Sequence, residues 1–254
     1  MVGEPAADDA VNRARALPTL RVGLHVAVVR GHATLPSELI PDLVDARGRF
    51  ATQLYRAGVN FFIRPGIRRQ LEAEIRAQFN RFRATGLRLD HVNAHAHLHL
   101  HPTILGIIVK VGRDYGSPPV RVPHEPFLPS WRAANSDFGG RLWNGMFLAP
   151  WLALMRARLH FAGVATNDFV FGLNDTGRMI EPRVLQLLER VPHGVTEMYF
   201  HPALDAWPDM DPHAAGSRFQ DEFAALISPA VKSAIRRFDI TPCTYADVTS
   251  SRER

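Results

Sequence analysis

The sequence predicts an α/β fold with a parallel sheet, either closed as a barrel or open and doubly wound. Strand-like apolar runs alternate with segments of helical periodicity from residue 20 to residue 244, and no shift in composition interrupts them. A chain of 254 residues can bury a substantial core, so we expect one domain over residues 1–254.

The clearest element is a helix over residues 67–85, where apolar side chains repeat at helical spacing up to the stop at Gly86. The other expected helices cover residues 5–17, 102–115, 141–161 with an interruption near Pro150, 181–191, and 219–238 with a break at Pro229. The expected strands cover residues 20–29, 89–96, 119–122, 168–172, 195–201 and 240–244, with a loop over residues 36–48.

A histidine-rich tract is the most informative motif. Residues 90–102 read Asp-His-Val-Asn-Ala-His-Ala-His-Leu-His-Leu-His-Pro and hold five of the twelve histidines. Neutral imidazole is a common zinc ligand, and a strand over residues 89–96 would place His91, Asn93, His95 and His97 on one face. The alternative is a surface tract or an expression tag, which the internal position and interleaved apolar residues disfavour. We expect one or two histidines to bind a metal and the others to line a pocket.

Polar residues also follow or adjoin five strand-like runs, with His25 after the run over residues 21–24 and Asp168 near the next strand. Chemistry in parallel α/β folds is found at the carboxyl ends of the strands, so this pattern predicts a hydrolase-like site. The residues are His25, His95, Arg121, Asp168 and His201.

The basic charge balance does not predict a nucleic-acid partner. The formal net charge is +5, but arginine accounts for all of the 30 basic residues except Lys110 and Lys232, which is typical of a codon-composition effect. No aromatic-basic motif of a single-strand binder is present, and the charge suits an anionic membrane surface equally well. The lone Cys243 is expected to be a buried small hydrophobe, so any metal should sit on histidine and carboxylate.

The protein is expected to be cytoplasmic, because residues 1–16 are rich in acidic and small residues. A secretory signal peptide would instead have a basic start followed by an apolar run. The most apolar stretch, residues 142–155, is too short to span a bilayer but suits contact with lipid at a membrane surface. Peripheral membrane contact and a homodimer are both compatible with the sequence.

Five motifs together resemble those of the YdjC-like carbohydrate deacetylases, in the same order and over nearly the whole chain. They are Gly-Leu-His at 23–25, His-Val-Asn-Ala-His-Ala-His-Leu-His at 91–99 with Pro102 following, Arg-Val-Pro at 121–123, Asp-Phe-Val-Phe-Gly at 168–172, and Glu-Met-Tyr-Phe-His-Pro at 197–202. Residues 43–50, 58–65 and 91–95 most resemble the branch associated with hopanoid biosynthesis.

This resemblance implies a distorted TIM-like barrel of parallel strands and the removal of an acetyl group from an N-acetylated amino sugar, on a sugar or on a glycolipid such as a glycosylated hopanoid. It also implies a divalent metal, Mg or Zn, held by one Asp and two His. By motif, the two histidines correspond to His25 and His95. Asn93 stands where many members of the family have Asp.

The family begins with a strand ending in Ala-Asp-Asp-Phe-Gly, followed by a helix, and these supply the metal-binding Asp and a base. In this chain Met1-Val-Gly matches the strand after that segment, and Asp8 and Asp9 lie within the expected helix over residues 5–17. We therefore expect a barrel with its first strand and helix missing, weak metal binding and little or no activity.

The resemblance also suggests roles for the remaining polar residues. His201 is the candidate catalytic acid, and Arg121, His97 and Asp168 are candidate substrate contacts. Structural roles for Arg121 and Asp168 are equally compatible with the sequence. Two other functions stay open: an inactive paralogue that keeps a sugar-binding pocket, and a different metal-dependent amidohydrolase or phosphoesterase.

Overall fold

The computed structural model describes residues 1–205 and 214–252. Its helices and strands follow in chain order: α1 Ala7–Arg15, β1 Val22–Val26, α2 Leu54–Ile63, α3 Pro65–Ala84, β2 Leu89–Ala94, α4 Pro102–Gly112, α5 Phe127–Ala134, α6 Phe138–Phe161, β3 Phe169–Phe171, α7 Glu181–Leu188, β4 Thr196–Met198, α8 Phe219–Ile227, α9 Pro229–Arg237 and α10 Tyr245–Arg252. These elements form an α/β fold with short parallel strands, as predicted.

The chain divides into two compact units. The first unit contains residues 1–121, 154–166 and the described residues from Thr244 onward. The second unit contains residues 122–153 and the described residues between 167 and 243.

The sheet of the first unit pairs β1 with β2 in parallel, and His25 lies opposite Asn93 in the register. A parallel bridge from Val92 to Val120 adds a third backbone segment, so Arg121 follows directly beside β2. The register slips by one residue between Val22 and Leu24, which is a β-bulge. Such a bulge interrupts the alternation of side chains along β2.

The helix α3 packs its apolar stripe into the core of the first unit, with Leu71, Ile75 and Phe79 fully buried. The same stripe contains buried polar groups. Glu74 is fully buried and accepts hydrogen bonds from the backbone N–H groups of Thr34 and Leu35, each at 2.9 Å. These bonds fix the loop after β1 to the helix, because a buried carboxylate is stable only when its oxygens have partners.

The second unit pairs β3 with β4 in parallel, with Val170 opposite Glu197. Its core is built around Phe171, Met179 and Leu187, which are at most 1% exposed. Glu222 is fully buried here and accepts the backbone N–H groups of Met179 at 3.0 Å and His201 at 2.5 Å.

Several sequence expectations are wrong. Residues 240–244 form no strand: the Ile240 N–H bonds back to the carbonyl of Ile235, and Pro242 has no N–H to offer a neighbouring strand. Cys243, expected to be buried there, is exposed. The expected strand over residues 119–122 is reduced to the bridge at Val120, and Pro150 lies inside α6 without ending it.

Three helices, α2, α5 and α10, were not predicted, because their short sequences carry weak helical signals. Among the described residues, no helix is long and apolar enough to cross a membrane.

Candidate functional site

Two histidine rings lie together at the end of the first unit's sheet. His25 belongs to β1, and His95 is the first residue after β2. Their ring centroids are 5.6 Å apart and their planes are inclined by 77°. Burial lowers the pKa of His25 to about 3, so its ring is neutral at pH 7. The structure therefore brings together the two residues that the sequence assigns to a metal.

The histidine tract does not continue as a strand beyond Ala94, so the expected shared face of His91, His95 and His97 is wrong. Residues His95–Leu100 form a 3₁₀ segment in which Ala96 and His97 have φ of 51° and 54°, in the left-handed region. This conformation turns the chain out of the sheet. At the other end of β2, the bulge leaves the His91 ring stacked on Tyr245, with a centroid distance of 4.7 Å.

His97 and His99 contact each other across this turn, with ring centroids 6.0 Å apart. His99 is fully buried, and this burial lowers its pKa well below the usual value. His97, expected to contact substrate, is only partly exposed. A turn packed in this way is a rigid support for His95, which precedes it.

Asn93 connects His25 to Arg121. Because the Arg121 guanidinium carries only donors, we assign the amide oxygen of Asn93 to the side that faces it, where it accepts from Nη2 at 3.0 Å and Nη1 at 3.2 Å. The amide nitrogen then donates to Nδ1 of His25 at 2.5 Å. In neutral His25 the ring proton is therefore on Nε2. Arg121 is 8% exposed and acts here on the orientation of Asn93.

This arrangement bears on metal binding, because an ion bound at Nε2 of His25 requires the ring proton to be on Nδ1. The Asn93 amide would then have to turn, with loss of its bonds to Arg121. The neutral His25 ring and the 5.6 Å between the two ring centroids nevertheless fit two ligand positions of one divalent ion. Within residues 1–205 and 214–252, no group of three or more His, Cys, Asp or Glu side chains could hold a metal.

Replacing Asn93 with Asp should raise divalent-metal affinity about tenfold or more, as is typical for partners of metal-binding histidines. A carboxylate at position 93 can accept both from Arg121 and from a protonated Nδ1 of His25, which leaves Nε2 free for the ion. Nitrogen-15 NMR of the His25 ring should report Nε2–H in the parent protein and Nδ1–H in the variant.

The matched control is Asn80→Asp, because Asn80 is exposed on α3 and the substitution changes the charge equally. It should alter neither the His25 tautomer nor the metal affinity. A His25 tautomer that is the same in the parent and in Asn93→Asp would contradict the proposed effect of Asn93.

Two other candidate residues belong to the second unit. Asp168 directly precedes β3 and lies at its amino end, in agreement with the strand expected over residues 168–172, so it does not belong to the carboxyl-end group in which the sequence analysis placed it. Its carboxylate accepts the backbone N–H of Val195 at 2.8 Å, a bond that ties the starts of β3 and β4 together.

His201 lies three residues beyond β4, and its exposed ring contacts Tyr199 with a centroid distance of 5.5 Å.

A buried ionic network in the second unit was not foreseen from the sequence. Arg141 binds Asp175 through both η nitrogens, at 2.8 and 3.1 Å, and its Nη1 donates to Ser130 at 2.6 Å. The Ser130 hydroxyl in turn donates to Glu125. Arg141 and Asp175 are 34 residues apart, so no local spacing could have indicated the pair.

The network lies beside a cavity of about 290 Å³ within the second unit. Four arginines contribute to its lining: Arg141, Arg178, Arg183 and Arg218. Asp175 is shared between two of them, since Arg183 Nε also lies 3.5 Å from its Oδ1. Other carboxylates also offset these arginines, since Asp221 pairs with Arg218 at 2.8 Å and Glu125 lies 3.7 Å from Arg141.

Comparison with known proteins gives a family match over most of the chain. The family described as YdjC-like protein matches residues 1–237. A carbohydrate deacetylase of Brevibacillus brevis is 39% identical over 123 residues, which cover 48% of this chain and 46% of that protein. The chain thus spans about half the length of the first such relatives. A carbohydrate deacetylase of Vibrio vulnificus is 28% identical over 249 residues, covering 98% of this chain and 83% of that protein.

A solved structure shows the same fold. It is a protein of Enterococcus faecalis described as a cellobiose-phosphate cleavage protein, with a TM-score of 0.70 and 24% identity over 97% of this chain and 85% of that one.

Proposed function

This chain belongs to the YdjC-like protein family, and on that premise we propose that it is a hydrolase that removes the acetyl group from an N-acetylated amino sugar. The observation that carries the proposal is the pair of His25 and His95 rings, 5.6 Å apart beside the carboxyl ends of two parallel strands. This edge is where α/β enzymes place their chemistry. Relatives named carbohydrate deacetylase support the choice of reaction.

In this proposal His25 and His95 hold one divalent ion, Mg or Zn. Such an ion polarises an acetyl carbonyl and makes its bound water more acidic. The protein contributes a His25 ring that is already neutral, because burial holds its pKa near 3, so metal binding does not have to displace a proton from a charged imidazole. Before an ion binds, Arg121 orients that ring through Asn93.

The other candidate residues keep distinct roles in the proposal. His201 is the acid that would give a proton to the departing sugar amine, a task that suits imidazole near neutral pH. His97 and Arg121 would contact the sugar. Asp168 has weaker support, because its carboxylate already binds the Val195 N–H.

Acetate release tests the reaction directly. The resemblance predicts little or no activity, whereas the proposal, which rests on the His25–His95 pair, predicts measurable release of acetate from N,N′-diacetylchitobiose. Chelation of divalent ions should stop the release, and added Zn²⁺ or Mg²⁺ should restore it. Release that survives chelation would contradict the metal requirement. No release with any metal, together with retained sugar binding, would indicate an inactive paralogue, and hydrolysis of a phosphodiester instead would indicate a phosphoesterase.

Three further parts of the proposal concern the acceptor molecule, the location of the protein and the type of sheet. The acceptor is proposed to be carried by a lipid such as a glycosylated hopanoid, in a cytoplasmic protein that contacts the membrane peripherally or pairs as a homodimer. The parallel strands are proposed to belong to a distorted barrel of the TIM type. Acetate release from an N-acetylglucosaminyl lipid, compared with release from the free sugar, tests the acceptor.

A further inference from the structure

One helix of the structure has apolar residues on its solvent-exposed side. In the part of α6 that belongs to the second unit, Trp143 is 67% exposed, Met146 63%, Phe147 59% and Trp151 40%. These positions are three, four and eight residues from Trp143, so they share one face of the helix. Leu152, on the opposite side, is 7% exposed and packs inward.

The exposed face is comparable in size to the main apolar patch of an ordinary monomer. Aromatic side chains offer roughly 150–250 Å² each, so the exposed parts of Trp143, Phe147 and Trp151 together give about 250–400 Å², to which Met146 adds. The largest apolar patch on a typical monomer is about 300–600 Å² and often has a function. A stable protein dimer needs about 800 Å² from each partner, which is more than this face supplies.

Its composition indicates which partner fits. Tryptophan is enriched where proteins meet the headgroup region of a bilayer, because the indole combines a large apolar ring with an N–H donor. Trp143 and Trp151 are eight residues apart, which places them about 12 Å apart along the helix axis, so a helix lying flat would bring both indoles to one depth.

The charge of the helix favours an anionic surface. Over its 24 residues α6 contains no Asp or Glu, and its basic residues are Arg141, Arg156 and Arg158 with His160. Arg141 is buried in its ionic network. Arg158 is exposed in the part of the helix that belongs to the first unit, and its Nη1 donates to the carbonyl of Pro102 at 2.8 Å. The whole chain has a net charge of +5. A basic helix with an apolar outer face is typical of segments that bind anionic lipid.

We infer that the exposed face of α6, formed by Trp143, Met146, Phe147 and Trp151, docks on an anionic membrane surface with the helix in the interface plane. The inference extends the proposed function and rests on it, because membrane contact serves the enzyme only if its acceptor is carried by a lipid. Binding itself requires no substrate and no catalysis.

The test is co-flotation of the full chain with vesicles of phosphatidylcholine and phosphatidylglycerol. The double variant Trp143→Ser/Phe147→Ser should bind about tenfold more weakly or worse, because each aromatic ring contributes its burial in the interface. Vesicles of phosphatidylcholine alone should bind less protein. The matched control is Phe223→Ser/Ile227→Ser on α8, which removes side chains of the second unit that are 38% and 55% exposed and should bind like the parent.

Circular dichroism should show that all variants are folded, and Trp143→Phe/Phe147→Trp should retain binding because the apolar face is preserved. Absence of vesicle binding by the parent protein would overturn the inference whether or not acetate is released. Equal loss in both Ser double variants would also overturn it. A parent protein that sediments as a dimer, ignores vesicles and becomes a monomer in Trp143→Ser/Phe147→Ser would assign the face to a second copy of the chain instead.

Discussion

Replacing His95 with alanine should reduce acetate release by about a hundredfold or more, the largest effect on activity that we expect. The His95 ring stands 5.6 Å from the His25 ring, and its loss would leave a single imidazole to hold the ion. Metal-assisted hydrolysis then loses the group that polarises the carbonyl and activates water. Initial rates of acetate release at saturating metal measure the effect.

His160→Ala is the matched control, because His160 is an exposed histidine at the end of α6 that the proposal gives no role in catalysis. It should retain the activity of the parent protein. Full activity in His95→Ala would remove His95 from the site, and equal losses in both variants would show that the effect is not specific to the pair.

Replacing Arg141 with methionine should have the largest effect on stability, lowering the free energy of unfolding by about 3–5 kcal/mol. The side chains of Arg141 and Asp175 are 4% and 7% exposed, so the variant leaves a buried carboxylate without its two closest donors. Arg183, 3.5 Å from Asp175, compensates in part and should keep the loss toward the lower end. Urea unfolding followed by circular dichroism measures the change.

Two further variants show whether the stability is lost because a buried ion pair is broken or because side-chain packing is lost. Arg141→Met/Asp175→Leu should recover part of the stability lost in the single variant, because neither charge is then left alone. Arg190→Met is the control: Arg190 pairs with Glu189 near the surface, with side chains 35% and 44% exposed, and should unfold at nearly the parent midpoint. An Arg141→Met protein as stable as this control would contradict the account.

The sequence predicts the long amphipathic elements well because their signal is local. The helix expected over residues 67–85 is observed as α3 Pro65–Ala84, and the break expected at Pro229 separates α8 from α9. The choice of His25 and His95 as a pair came from the motifs of the family resemblance, and their proximity from the expectation that their two strands are neighbours.

Other features depend on tertiary context and have no local signal. Ala96 and His97 take left-handed φ values that neither residue type prefers, so the end of β2 could not be read from residues 89–96. The Asn93 link depends on Arg121, which reaches it through the bridge between Val92 and Val120.

X-ray absorption at the zinc edge of the Zn²⁺-loaded protein tests most directly whether His25 and His95 share one ion. The account predicts one ion per chain with two imidazole nitrogens at about 2.0–2.1 Å, and one fewer imidazole in each of His25→Ala and His95→Ala. A spectrum without imidazole scattering, or one that neither substitution changes, would contradict it.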